Sequence, residues 1–220
     1  MSDLFHDDVS DTYIARVWAV MALAPQHTFQ ILTKRHGRMR SLLNSPDFYR
    51  QVRAALHVLH DVPELEAFGT ERFPLPNVWV GVSVEDQRWA DIRIPPLLDT
   101  PAAVRFLSCE PLLGPVSLHR YIPNGWGEGA LHNPTTGRLA SLCRPTVDWV
   151  IVGGESGRGA RPMQADWART LRDQCAGLEV AFFMKQAGTV LAKEWGARGK
   201  GEDPAEWPEP FPQEYPRGAR

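Results

Sequence analysis

Five short apolar runs along the chain each stop abruptly at polar or charged residues. Phe29-Gln30-Ile31-Leu32 stops at Thr33-Lys34-Arg35, and Val78-Trp79-Val80-Gly81-Val82 stops at Ser83-Val84-Glu85-Asp86. Val104-Arg105-Phe106-Leu107 gives way to Ser108-Cys109-Glu110, and Trp149-Val150-Ile151-Val152 to Gly153-Gly154-Glu155-Ser156. The last, Val180-Ala181-Phe182-Phe183-Met184, ends in Lys185-Gln186. Runs this short and rich in Val, Ile and Phe predict strands, and those without strict alternation predict strands covered on both faces.

Between the runs a helical period takes over. Ser10 is placed to cap a helix reaching about Leu23, with Ile14, Val17 and Met21 along one face. Ser45-Pro46-Asp47 offers a capping hydroxyl, proline at the first helical position and an acid at the positive end of the dipole. The helix it opens carries Phe48, Val52, Leu56 and Leu59 on one stripe and is expected to end near His60. A third helix is predicted from Pro162 to Ala176, with Trp167, Leu171 and Cys175 spaced by four. Between Glu85 and Pro101 the pair Pro95-Pro96 limits the expectation to one or two helical turns.

Strands alternating with helices imply parallel pairing through right-handed crossovers, hence an α/β fold. Two stretches break the pattern. Ile122 to Pro145, with its Gly, Pro and Asn clusters, reads as a long loop insertion, and the Pro- and Glu-rich segment 197–220 as an extended tail whose Trp207, Phe211 and Tyr215 dock on the body. The expected organisation is thus a domain over 1–196 followed by a tail over 197–220.

In parallel α/β architectures the loops leaving the carboxyl ends of the strands converge on one crevice. Here those ends carry Thr33, Lys34, Ser83, Glu85, Asp86, Ser108, Glu110, Gly153, Gly154, Glu155, Ser156, Lys185 and Gln186, which are the candidate ligand-binding residues. Carboxylates and lysines gathered in one place demand a wet pocket, an ion-pair network or a ligand. The Gly-rich turn from Gly153 to Gly159 follows a strand and precedes a helix, a context for anion binding by backbone N–H groups, or for a turn that needs glycine on steric grounds alone. It matches neither dinucleotide nor phosphate-loop fingerprints. No catalytic residue and no metal ligand is singled out: His57 and His60 have no partner ligand, and no nucleophile signature occurs.

Composition narrows the picture further. The 220 residues are 43% hydrophobic and 23% charged, a globular balance, and 24 Lys+Arg against 26 Asp+Glu give a net charge of -2, so no global basic field points to nucleic acid. The basic cluster Lys34-Arg35-His36-Gly37-Arg38-Met39-Arg40 lacks interleaved aromatics and reads first as a solvated helix face. No run is long enough to span a bilayer, and the acidic N-terminus has no signal-peptide layout, so a cytoplasmic, non-membrane protein is expected. Cys109, Cys143 and Cys175 are sparse and far apart, as in a reducing compartment.

The segments MSDLFH, ILTKR, NVWVGVSVEDQ, PAAVRFLSCEPLLGPV, DWVIVGGESGRGARPM and FFMKQAG resemble the phage gene product 37/68 family, also called three-Cys-motif proteins, from Met1 to about Trp195. Full-length relatives look like radical S-adenosylmethionine proteins, with a three-cysteine loop for a [4Fe–4S] cluster ahead of a partial parallel (β/α) barrel. The resemblance implies a radical-SAM-like partial barrel of about five to six strands in this chain, without the first strands. Met1 aligns after the second barrel strand, so the cysteine loop falls outside the chain, and no cofactor is expected here. The cluster and S-adenosylmethionine are implied for full-length relatives only. Ser83, Glu85, Ser108, Glu110, Glu155 and Lys185 match the family's strand-end positions.

Two functions follow as expectations. The first is the C-terminal, substrate-facing part of a phage-type radical-SAM-like protein, inactive alone and of unknown substrate. The alternative is a non-catalytic nucleic-acid or protein binding module on the barrel scaffold. Expected partners are a small-molecule or nucleic-acid substrate, and a second copy or an N-terminal piece paired along an open strand edge.

Overall fold

The computed structural model describes residues 3–59, 73–121 and 146–216. The expected insertion at 122–145, with Cys143, and the helix end at His60 lie outside the described residues. The chain divides into two compact units, Met1–Val84 with Arg88–Ser108, and Glu85–Gln87 with Cys109–Arg220. All five expected strands form, every ladder described is parallel, and strand order follows chain order within each unit. The fold class is α/β.

The first unit holds α1 (Asp11–Ala22), β1 (Phe29–Thr33), α2 (His36–Leu43), α3 (Pro46–Leu59), β2 (Val78–Ser83), α4 (Gln87–Leu98) and β3 (Val104–Cys109). The Ser10 hydroxyl accepts the Tyr13 N–H and caps α1 as expected. α1 packs on α3, and Trp18 sits edge-on between Phe5 and Phe48, with ring centroids 6.0 and 5.6 Å away. β2 is buried along its whole length, which is why its sequence is an unbroken apolar run.

α4 is longer than expected, running twelve residues through Pro95 and Pro96. The carbonyls that the prolines leave without a helical donor belong to exposed Asp91 and Ile92, while Ala90, Arg93, Ile94 and Leu97 bury the other side. Leu59 is also corrected: it ends α3 half exposed, outside the buried stripe of Phe48, Val52 and Leu56.

The second unit holds β4 (Trp149–Gly153), α5 (Ala165–Gly177), β5 (Ala181–Gln186) and α6 (Thr189–Trp195), followed by a 3-10 turn at Pro204–Glu206. α5 starts three residues later than predicted and buries Ala168, Leu171, Gln174 and Cys175, so Trp167 falls off its inner face. The tail docks. Trp207 and Phe211 are buried, and Phe211 stacks on Phe182 and Trp195. Beyond them Met184 N–H donates to Pro212 and Glu214 N–H to Phe182, so the tail lies along the outer side of β5. Tyr215, though exposed, leans on Trp149 and Phe183. Among the described residues no helix is long and apolar enough to cross a membrane.

Candidate functional site

Parallel strands deliver their polar ends to one side, and in the second unit these ends interlock. β5 carries Lys185 outward, where its ammonium pairs with a Glu110 carboxylate oxygen at 3.1 Å; the lysine is half exposed and the glutamate largely covered. Gly153, ending β4, makes room for that carboxylate: a Cβ there would lie 3.0 Å from Glu110 Oε1. The Leu112 N–H donates to the Gly153 carbonyl and the Leu113 N–H to the Glu85 carbonyl, which ties the Glu85, Glu110 and Gly153 segments together. Glu85 is buried, while Asp86 lies against Gly114.

The turn after β4 is folded onto the start of α6. A Cβ at Gly154 would meet the Ala187 carbonyl oxygen at 2.1 Å, so only glycine fits. Gln186, buried, donates to the Gly154 carbonyl and to the Ser156 hydroxyl, and serves as a brace for this turn. The backbone N–H groups of Gly154, Gly157 and Arg161 are already given to Gln186, Thr189 and Glu155. Of the two readings of this Gly-rich turn, steric need is the one the geometry supports; an anion cradle would require those donors.

Glu155 meets a partner that the sequence reading passed over. Gly157 and Gly159, both at positive φ, turn the chain back so that Arg161 forks onto the carboxylate through Nε and Nη2 at 2.8 Å each, with its N–H adding a third bond at 2.7 Å. Those bonds from Arg161 hold the Glu155 carboxyl far below its ordinary value, at about 2. Arg161 also feels the charge of Glu85. The available signal was an arginine six residues beyond an acid, across two glycines.

In the first unit the strand-end polar groups are spent on the fold. Thr33 is buried, with its hydroxyl on the Asp3 carboxylate at 2.7 Å and accepting the Arg35 N–H at 2.8 Å; the Lys34 N–H also reaches Asp3. Ser83 and Ser108 face each other in register, both buried; Arg93 binds the Ser83 carbonyl, and the Val84 N–H the Ser108 carbonyl. The basic cluster is similarly engaged. Arg35 pairs with Asp7, Arg40 with Asp99, and Arg38 with Asp11 and the His6 and Val9 carbonyls. These arginines are held by their own neighbours, which weighs against a free phosphate-binding face.

The described cysteines do not suit an iron–sulfur cluster. Cys109 and Cys175 are fully buried; burial pushes the Cys175 thiol up to about 12 and raises Cys109 as well, the opposite of a thiolate ligand. Among the described residues no group of three His, Cys, Asp or Glu is placed to hold a metal ion.

No curated protein and no solved structure matches the chain. One family does, over residues 1–216, described as protein of unknown function (DUF5131). With the match running through both units and into the docked tail, the chain belongs to the DUF5131 family.

Proposed function

We propose that this chain is the substrate-facing part of a phage-type, radical-SAM-like protein on a partial parallel (β/α) barrel, and that its ligand sits on the strand ends of the second unit. One observation carries this: the Lys185–Glu110 pair stands at the carboxyl ends of parallel strands, with the lysine half exposed and the glutamate largely covered. Open α/β sheets take their ligands at such ends. Lys185, half exposed, loses little by turning to a ligand, and the covered Glu110 then needs the ligand's cationic group in its place. With Glu155–Arg161 in the same unit, two carboxylates and two cations are offered, which suits a ligand bearing both charges. Lys185 and Arg161 orient its anionic group, and Glu110 its cationic group. An α-amino acid end, one ammonium beside one carboxylate, has that chemistry, while the cluster and S-adenosylmethionine belong to full-length relatives. The described residues bind and orient; no redox step is assigned to them.

Isothermal titration with L-methionine, which carries that end alone, tests the proposal. Saturable binding is expected, weakened about fivefold or more in Glu110→Gln/Lys185→Met. Equal affinity in the double variant, or no saturable heat with the native chain, would overturn it.

A further inference from the structure

The first unit contains a pocket unrelated to any strand-end residue. It has a volume of about 400 Å³ and is lined by Leu43, Asn44, Pro46, Tyr49, Arg50, Arg53, Phe73 and Pro101. Leu43 and Asn44 close α2 and Pro101 precedes β3, so the pocket lies toward the amino ends of that unit's strands. Its walls are fixed. The Tyr49 hydroxyl donates to the Leu43 carbonyl at 2.7 Å, and Asn44 Nδ2 donates to the Asp99 carbonyl at 3.0 Å, which clamps α2 to the turn before β3. Tyr49 and Phe73 form an aromatic wall with centroids 4.5 Å apart. Of the two guanidinium groups from α3, Arg50 is paired with Asp47, whereas among the described residues Arg53 has no acidic partner.

We infer that this pocket binds a planar aromatic ring carrying one anionic group, a phosphate or a carboxylate, with the ring against Tyr49 and Phe73 and the anion on Arg53. The volume is that of a small-ligand site, the lining is mainly apolar, and guanidinium is the side chain best matched to either oxyanion. Aromatic faces add stacking that an aliphatic pocket would not supply. Burial pushes the Tyr49 phenol up to about 12, so no phenolate opposes the anion at neutral pH.

Calorimetric titrations of the full chain with AMP, indole-3-acetate, adenosine and inorganic phosphate test it. At least one of the two aromatic anions should saturate below about 1 mM and bind about tenfold more tightly than both adenosine and phosphate. Arg53→Glu should weaken it about tenfold, Phe73→Leu less, and Lys185→Met not at all. Neither aromatic anion saturating, unchanged affinity in Arg53→Glu, or phosphate matching the aromatic anions would overturn the inference. Circular dichroism of Arg53→Glu verifies that lost binding is not lost folding.

Discussion

The two units treat the same kind of strand end in opposite ways. In the first, Thr33, Ser83 and Ser108 are buried; the Thr33 hydroxyl closes onto Asp3, and the backbone carbonyls of Ser83 and Ser108 accept from Arg93 and the Val84 N–H. In the second, Lys185 and Arg161 carry their charge to the surface and pair there with the more covered carboxylates of Glu110 and Glu155. A buried, satisfied hydroxyl such as that of Thr33 is a structural element, because removing it strands a partner. A half-exposed cation such as Lys185 contributes little to stability, so its charge is available for other work. Polarity at a strand end therefore does not by itself mark a site; how its partners are arranged does.

Substitutions can break that comparison. The largest effect is expected from Gly154→Ala, which drives a Cβ into the Ala187 carbonyl and should destabilise the second unit by about 3 kcal/mol in urea unfolding. Thr33→Val, which leaves the Asp3 carboxylate and Arg35 N–H without their hydroxyl, should lose about 1–2 kcal/mol and leave ligand binding intact. Lys185→Met should change stability by less than about 1 kcal/mol while weakening ligand binding. A reversal of those last two outcomes would erase the distinction between the units.

The smallest effect concerns pH. The Glu155 carboxyl is lowered from 4.5 to about 2 by Arg161, so its pairing is fully present above about pH 4.5 and is lost as pH falls through about 2. The carboxyl carbon shift of Glu155 should titrate near 2 in the native chain and higher in Arg161→Ala, but still below 4.5, because the N–H at position 161 keeps its bond to the carboxylate.

Much of this was legible beforehand. Short apolar runs mark strands, so all five declared themselves, though only β2 and β4 are buried nearly throughout while β1 and β5 keep one face part-exposed. Ser10 and Ser45-Pro46-Asp47 marked the starts of α1 and α3. α4 was under-read because proline acts through two carbonyls whose exposure is a tertiary matter. Trp167 misled because spacing by four does not say which of several faces meets the sheet. Of the site, the strand-end acids were visible as residue types. Arg161 was not, since its approach to Glu155 depends on two left-handed glycines. The division into two units left no mark in the sequence, which has no linker at Val84 or Ser108.

The most direct test is an amide chemical-shift titration of the labelled chain with L-methionine, a probe bearing one ammonium and one carboxylate. Saturating shifts at Glu110, Gly153, Glu155, Arg161 and Lys185, with Thr33, Ser83 and Ser108 unmoved, are predicted. Shifts confined to the first unit, or none at the second unit's strand ends, would contradict the account.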